Sequence, residues 1–359
     1  MVDYEVPMFS RREYIESGKF VAKSHPYTPE VLEPFKIANN WRSSHVYPLL
    51  RIRHELSMKV SRIVVGGGFT AARIKRMASI RKKLNAANNS TMQLIQIQDI
   101  AGARAVLRSK KEIERLITAY KNGETRHIFK YESPYIDSPK LGGYRSHHIV
   151  LKYMPSETDN FLYGKLSVEL QIRTRLQHCW ATAVEAVGLF RNEDLKGGKG
   201  DRNWLRLFEL MSTEFAEVED LPIVPNTSNR RAERKYEILD LNKKLKACDV
   251  LENINKAIKK TEDFYYQYDP GYYLIMFNNK ESRVSVEKFL APSNALPGYY
   301  TVENDPDINV VLVEIDRVTD LRQAYPNYFL DVERFRSRLD KVIESEYAAK
   351  APAALVTLT

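Results

Sequence analysis

The sequence has few cysteines and no long apolar run. Cys179 and Cys248 are the only cysteines among its 359 residues. Two are too few for a disulfide framework and are typical of a reducing compartment. No apolar stretch approaches the roughly 18 residues of a membrane span. The opening MVDYEVPMFSRREYIESG also lacks the basic-then-apolar layout of a signal peptide. We therefore expect a cytoplasmic protein that has no membrane partner.

The sequence lacks the signatures of two common types of site. The glycine triplet in VVGGGFTAARIK is not followed by Gly-Lys-Ser/Thr, which excludes a P-loop. After Cys179 the chain has no histidine, and Cys248 is the one later cysteine. Since structural zinc sites need four such ligands, we expect no zinc in the C-terminal half.

Acidic residues are scarce in one basic segment. Between Arg51 and Lys83 there are ten basic residues and one acidic residue, Glu55. The whole chain has 55 Lys plus Arg against 46 Asp plus Glu. This distribution favours a polyanionic partner, although a solvated helix face is the alternative explanation.

The length of the chain predicts about two domains, and the order of its patterns predicts an α/β (α+β) fold. Helical periodicity dominates to about residue 65, and strands and helices then alternate as far as the helix in WLRLFELMSTEFAEVE. This order indicates a mixed β-sheet flanked by helices. The prolines and polar residues of DLPIVPNTSNRRAER mark a boundary. We predict domains at 1–225 and 266–359, joined by a linker and connecting helix at 226–265.

The stretch KLSVELQIRT reads as a strand with two unlike faces. Leu166, Val168, Leu170 and Ile172 alternate with polar residues, as in a half-buried strand. The other face carries an acid, an amide and a guanidinium at Glu169, Gln171 and Arg173, each about 6.6 Å apart. Such a face suits a charged ligand better than bulk water.

Three further segments carry polar residues that make a family resemblance clear: the run R-x-K-x-x-x-S-x-x-x-K, QDIAGAR and GGYRSHH. Together with VELQIRT, and in this order, they resemble the synthetase domain of the RelA/SpoT family. The resemblance covers roughly residues 40–215 and implies a nucleotidyltransferase-like fold. The matching residues are Arg73, Lys75, Ser79, Lys83, Asp99, Arg104, Tyr144, Ser146, His148, Glu169, Gln171 and Arg173.

The resemblance implies an ATP-dependent pyrophosphokinase that moves the β,γ-pyrophosphate of ATP onto a ribose 3′-hydroxyl. Asp99 and Glu169 would hold Mg²⁺, since Mg²⁺ takes one or two carboxylates with water and phosphates. Glu169 would also be the base that takes the hydroxyl proton, and Tyr144 would stack on the acceptor base. Residues that would contact the nucleotides and their phosphates are Arg73, Lys75, Ser79, Lys83, Arg104, His148 and Gln171.

The C-terminal region resembles the antitoxin part of CapRel-type fused toxin–antitoxins. The similar segments are the tyrosine-rich GYYLIMF and LPGYYTVENDPDIN, followed by NVVLVEIDRVTDLRQAYPNYFLDVERF. The resemblance implies a small α+β zinc-finger-like domain without metal. In that group this part inhibits the synthetase and senses a phage structural protein, commonly the major capsid protein. Tyr325 and Tyr328 match the element that blocks the ATP site, although packing within the small domain is an equal alternative.

Three functions stay open from the sequence. The first is an autoinhibited toxin that transfers pyrophosphate to the tRNA 3′ end, blocks translation and is released by a phage protein. The second is a small alarmone synthetase acting on GDP or GTP. The third is a catalytically silent nucleotide- or RNA-binding protein, which the retention of both Asp99 and Glu169 disfavours. The identity of the acceptor separates the first two.

Overall fold

The computed structural model describes residues 4–23, 29–64, 68–85, 91–191, 193–259, 271–278, 283–290, 294, 298, 301–302, 305, 308–315 and 332–345. The helices treated below are α1 (Arg11–Ala22), α2 (Pro29–Ser43), α3 (Val46–Ile63), α4 (Met77–Leu84), α5 (Lys110–Lys121), α6 (Arg175–Arg191), α7 (Arg202–Val218), α8 (Arg231–Leu245), α9 (Ala247–Lys259) and α10 (Glu333–Glu344). The strands are β1 (Phe69–Ile74), β2 (Ala101–Leu107), β3 (Ile128–Pro134), β4 (His147–Lys152), β5 (Ser167–Thr174), β6 (Gly271–Asn278), β7 (Arg283–Phe289) and β8 (Ile308–Ile315).

The strands form one mixed sheet, in the order β3-β4-β5-β2-β1-β8-β6-β7. Strands β2 and β5 run parallel, whereas β1 is antiparallel to β2 and β4 is antiparallel to β5. On the C-terminal side, β8 is antiparallel to both β1 and β6. The prediction of a mixed sheet flanked by helices is therefore confirmed.

Local chemistry explains where the clearest elements begin and end. Helix α5 starts at a capping box, in which Ser109 and Glu112 each accept a backbone N–H of the other residue. Gly123, just beyond the helix, has φ 78°, a conformation that a residue without Cβ adopts at low cost. In β5, Val168, Leu170 and Ile172 are fully buried, as the alternation predicts.

Other elements differ from the sequence-based prediction. β1 and β3 were not predicted, because FTAARI lacks a regular alternation and runs into a basic segment, whereas FKYESP is too polar. Where the sequence predicts one connecting helix within residues 226–265, the structure has two helices, α8 and α9. They are separated at Lys246, whose φ of 49° interrupts the α-helical geometry.

The chain forms two compact units, each built from several segments. One unit comprises residues 1–133, 147–174 and 264–325, and it contains the sheet. The other comprises residues 134–146, 175–263 and 326–359, and it contains α6 to α10. The predicted boundaries at residues 225 and 265 stay a prediction.

In the unit with the sheet, helices α1, α2 and α4 pack around the segment that precedes β2. Their buried apolar residues form one cluster, consisting of Val21, Ala38, Met77, Ile80, Leu84, Leu94, Ile97 and Ile100. Gly18 of α1 permits this approach, because a Cβ at that position would lie 2.7 Å from the Cβ of Leu94. The cluster fixes the backbone on both sides of Asp99. Among the described helices, none has the length and apolar character needed to span a bilayer.

The helical unit has an aromatic core. The ring of Phe335 on α10 lies 5.5 Å from that of Phe208 and 5.8 Å from that of Phe215, both on α7. Trp204 of α7 is fully buried beside Phe208. These contacts hold α10 against α7 within this unit.

Candidate active site

The polar residues of three neighbouring strands share one face of the sheet. Gly102 of β2 is the Cα partner of both Arg73 on β1 and Glu169 on β5. Two residues along, Arg104 pairs with Gln171, which also pairs with His148 of β4. Because Cα partners in adjacent strands point to the same side, these groups form a continuous polar surface, here called the polar face.

Asp99 lies at the end of the polar face, just before β2, and binds two lysines. Its Oδ2 accepts a hydrogen bond of 2.7 Å from Lys75 Nζ, and its Oδ1 accepts one of 3.0 Å from Lys83 Nζ. Lys75 follows β1 and its backbone N–H donates to Ile100, whereas Lys83 lies on α4. Burial by itself raises the pKa of Asp99, but the two ammonium charges outweigh it and lower the pKa to about 2. Asp99 is therefore a carboxylate at any physiological pH.

Glu169 lies at the centre of the polar face and is held by two hydrogen bonds. Its Oε1 accepts from His148 Nδ1 at 3.0 Å, and its Oε2 accepts from Gln171 Nε2 at 2.7 Å. Arg173 Nη2 in turn donates to Gln171 Oε1 at 3.2 Å. Burial raises the pKa of Glu169 and the charge of Asp99 adds to this, but the bonds from His148 and Gln171 prevail and lower it. The side chain is thus charged and fixed in orientation.

A gap in the polar face lies between Arg73 and Glu169, at Gly102. A Cβ placed on Gly102 would meet only the backbone oxygens of Arg73 and Glu169, each at 4.0 Å. The gap gives a ligand access to the sheet backbone beside both charged groups. Gly102 was not among the residues predicted from the sequence, since a missing side chain leaves no signal in one sequence.

Ser79 lies on α4, one turn before Lys83, and is half-buried. The structure thus brings together, in one unit, nine of the residues that the sequence selected for catalysis and nucleotide binding: Arg73, Lys75, Ser79, Lys83, Asp99, Arg104, His148, Glu169 and Gln171.

Tyr144 belongs to the other compact unit and has its own environment there. Its ring lies 6.1 Å from that of Tyr135, and Lys140 Nζ lies 4.5 Å from the Tyr135 ring and 5.4 Å from the Tyr144 ring. Gly143 has φ 87°, and a Cβ there would lie 2.9 Å from Ser212 Cβ, so this turn requires glycine. Lys140 was not among the site residues predicted from the sequence. Its position in the turn before Tyr144 could have indicated that it lies near the Tyr144 ring.

The donor set of the polar face fits a magnesium ion. Asp99 and Glu169 are hard oxygen ligands, both charged, and close enough for the charge of one to raise the pKa of the other. Within the part of the chain that the structure describes, no cluster of three or more His, Cys, Asp or Glu side chains could hold a metal. Mg²⁺ does not require such a cluster, because it binds through one or two carboxylates with phosphates and water.

Tyr325 and Tyr328, the two residues predicted to block the ATP site, lie outside the described residues.

Comparison with known proteins gives a match over the segment that contains both acids. Residues 72–194 match the family model described as the region found in RelA/SpoT proteins. The GTP pyrophosphokinase YwaC of Bacillus subtilis is 31% identical over 129 residues, which are 35% of this chain and 60% of that protein. The GTP pyrophosphokinase YjbM of the same organism is 32% identical over 114 residues, 32% of this chain and 53% of that protein. The chain thus spans little more than half the length of these relatives.

Among solved structures, small alarmone synthetase 2 from Bacillus subtilis aligns with a TM-score of 0.43 at 21% sequence identity, covering 51% of this chain and 94% of that chain. Small alarmone synthetase 1 from the same organism, bound to its product pppGpp, aligns with a TM-score of 0.41 at 21% identity. The match to the family model shows that residues 72–194, which carry Asp99 and Glu169, are similar to the region found in RelA and SpoT proteins.

Proposed function

We propose that this chain is an ATP-dependent pyrophosphokinase that transfers pyrophosphate to the 3′-hydroxyl of GDP or GTP. The observation that carries the proposal is the pair of charged acids, Asp99 and Glu169, on a sheet face lined by cationic side chains. The match to the RelA/SpoT region and the two GTP pyrophosphokinase relatives support this reaction.

The cations near Asp99 would bind the triphosphate of ATP. Lys75 and Lys83 meet at Asp99, and Arg73 lies on the adjoining strand, close enough for its charge to lower the pKa of Lys75. Phosphoryl-transfer sites rely mainly on positioning and on neutralising the charge of the phosphates. Mg²⁺, when bound by Asp99 and Glu169, would add further neutralisation of the same charge.

Glu169 would accept the proton of the acceptor's 3′-hydroxyl. It is ionised at neutral pH, and the hydrogen bonds from His148 and Gln171 fix the direction of its oxygens. Arg104, opposite Gln171 on the next strand, would bind phosphate as a bidentate donor. Tyr144, with Lys140 beside its ring, would supply the stacking surface for the guanine base.

The CapRel-like C-terminal region supports a different acceptor and a control mechanism. If that resemblance extends to function, the acceptor is the tRNA 3′ end, Tyr325 and Tyr328 block ATP binding, and a phage structural protein releases the block. The zinc-finger-like fold of this region belongs to the same prediction. The GTP pyrophosphokinase relatives favour the nucleotide acceptor.

The test is an acceptor assay with the full chain and γ-labelled ATP. GDP, GTP and deacylated tRNA are offered separately, and the products are resolved by thin-layer chromatography and by gel. We expect label on GDP or GTP. Label on tRNA alone would show that the acceptor is tRNA, as the toxin hypothesis predicts, and that it is not GDP or GTP. If no acceptor is labelled, with or without lysate from phage-infected cells, the proposal of a pyrophosphokinase is wrong.

A further inference from the structure

Two further lysines lie on the polar face. Lys130 is on β3 and Lys152 is on β4. Lys130 Nζ donates to Gln98 Oε1 at 2.9 Å, and the same oxygen accepts from Ser167 Oγ at 2.9 Å. Ser167 is the Cα partner of Lys152. Gln98 and Ser167 therefore join the two lysines into one cluster, here called the lysine pair.

The lysine pair adjoins both acids of the candidate active site. Gln98 immediately precedes Asp99 in the chain. Ser167 precedes Glu169 by two residues on β5, so their side chains lie on the same face about 6.6 Å apart. A ligand in contact with Glu169 can thus reach the lysine pair without leaving the polar face.

The lysine pair and the cations near Asp99 lie on opposite sides of Glu169. In the sheet, β3 and β4 lie on one side of β5, whereas β2 and β1 lie on the other. Arg73 is on β1, and Lys75 and Lys83 meet at the start of β2. A transfer reaction between two nucleotides needs a separate set of cations for the phosphates of each.

The charges of the lysine pair are not balanced by nearby acids. Among the described residues, Lys130 Nζ contacts Gln98 Oε1 and lies 5.5 Å from the centre of the Tyr131 ring, and neither Lys130 nor Lys152 forms an ion pair with a carboxylate. Burial lowers the pKa of Lys152, and the charge of Lys130 lowers it further. His45, whose own pKa is lowered by burial to about 4, stands near Lys152 as a neutral ring at physiological pH. Two ammonium groups held in this way favour the arrival of an anion.

We propose that Lys130 and Lys152 bind the 5′-phosphates of the acceptor nucleotide. This assignment rests on the proposed function, in which Glu169 contacts the acceptor's 3′-hydroxyl. The 5′-phosphates of the same ribose would then extend from Glu169 across the sheet. The ligand is a nucleoside diphosphate or triphosphate. The competing explanation for Lys130 is an edge-strand lysine that merely discourages pairing with other chains.

The test compares a double variant, Lys130→Gln with Lys152→Gln, with a control that removes the same charge. The control is Lys23→Gln with Lys111→Gln, two exposed positions away from the polar face. Calorimetry measures the Kd of GTP, GDP, guanosine, a non-hydrolysable ATP analogue and a short RNA that ends in CCA. Steady-state transfer assays give KM for GDP and kcat.

We expect the double variant to bind GDP and GTP on the order of a hundredfold more weakly, about tenfold for each lysine that no longer binds a phosphate. Guanosine and the ATP analogue should bind as they do to the control. KM for GDP should rise with little change in kcat. If Lys152→Gln prevents folding, Lys130→Gln alone, at an exposed position, should still weaken GDP binding about tenfold.

The two proposals fail in different ways. The lysine assignment would be wrong if the double variant bound GDP as tightly as the control, or if its affinity for guanosine fell as much as that for GDP. It would also be wrong if only the affinity for the ATP analogue, or only that for the RNA, fell. Each of these results would count against it even if transfer to GDP is intact. Lysine-dependent binding of GDP without any pyrophosphate transfer would support the assignment and overturn the proposed function. Absence of GDP binding by the unaltered protein would overturn both.

Discussion

Asp99 shows how charge and burial compete at a single residue. Desolvation opposes the ionised carboxylate, yet two lysines at 2.7 and 3.0 Å keep it charged. The sequence placed Asp99, Lys75 and Lys83 in one site through the family resemblance, but it gave no indication that both lysines bond to the same carboxylate. That contact depends on the packing of α4 against the segment before β2.

The pH dependence of stability follows from the lowered pKa of Asp99. A carboxyl whose pKa falls from 3.8 to about 2 on folding stabilises the protein above about pH 4 and loses that contribution as the pH falls toward 2. We expect Asp99→Asn to lower the free energy of unfolding by on the order of 2 kcal/mol near pH 6. Urea unfolding at several pH values would measure this. The difference from the unaltered protein should shrink between pH 4 and pH 2, and a difference that stays constant would contradict the account.

Gly102 leads to a second prediction at a single position. Gly102→Val should fold normally, because a Cβ there meets no atom closer than 4.0 Å, and β-branched residues suit strands. Its side chain would nevertheless fill the gap between Arg73 and Glu169. We expect kcat/KM to fall at least tenfold with unchanged melting temperature, and Gly102→Ala to have an intermediate effect. Full activity in the valine variant would show that ligands do not use the gap.

At the scale of elements, β5 was predictable and two neighbouring strands were not. Strict alternation over Val168 to Arg173 identifies β5 and its polar side from sequence alone. β1 and β3 lack such alternation, and the sheet's hydrogen bonds rather than local propensity make them strands. The order of strands, which puts two sets of cations on opposite sides of Glu169, was likewise not readable from local patterns.

Helices α7 and α8 are joined by buried ions. Glu214 of α7, fully buried, accepts from Arg234 Nε at 2.9 Å and from Arg231 Nε at 3.1 Å, both on α8. Arg234 is also fully buried and bonds to Glu217 and to the Ser228 carbonyl. Removing one member of such a cluster leaves an uncompensated charge in the buried interior.

We therefore expect Glu214→Gln to lower the free energy of unfolding by about 3–5 kcal/mol. The control is Glu233→Gln, which removes the exposed ion pair between Glu233 of α8 and Arg230 just before the helix, and which should have a much smaller effect. Denaturant unfolding followed by the fluorescence of the buried Trp204 measures both. The double variant Glu214→Leu, Arg234→Leu should be more stable than either single one. Equal effects of Glu214→Gln and its control would refute this reading.

At the scale of the whole molecule, the C-terminal strands continue the sheet that carries the candidate active site. Strand β8 pairs with β1 at Ala72 and Arg73, and β6 and β7 follow it. The pairing of β8 with residues more than two hundred positions earlier has no local signal in the sequence. A truncation near residue 245 would remove β8, one of the two strands that pair with β1. It would therefore disturb Arg73 as well as any inhibitory element.

Point substitutions test autoinhibition without this complication. If Tyr325 and Tyr328 restrict ATP binding, changing both to Ala in the full chain should raise the rate of pyrophosphate transfer and lower KM for ATP. Tyr236→Ala, at an exposed position on α8, is the matched control. Transfer rates and KM values that equal those of the control would leave the two tyrosines without an inhibitory role.

The proposed reaction depends on Glu169 as the group that accepts the 3′-hydroxyl proton. The most direct measurement is the rate of pyrophosphate transfer to GDP by Glu169→Gln, with Glu157→Gln, at an exposed position in the same unit, as the control. We predict a fall in kcat of roughly 10²–10⁴-fold. The affinity for a non-hydrolysable ATP analogue should change little. Transfer by Glu169→Gln at the rate of the control would contradict the central claim.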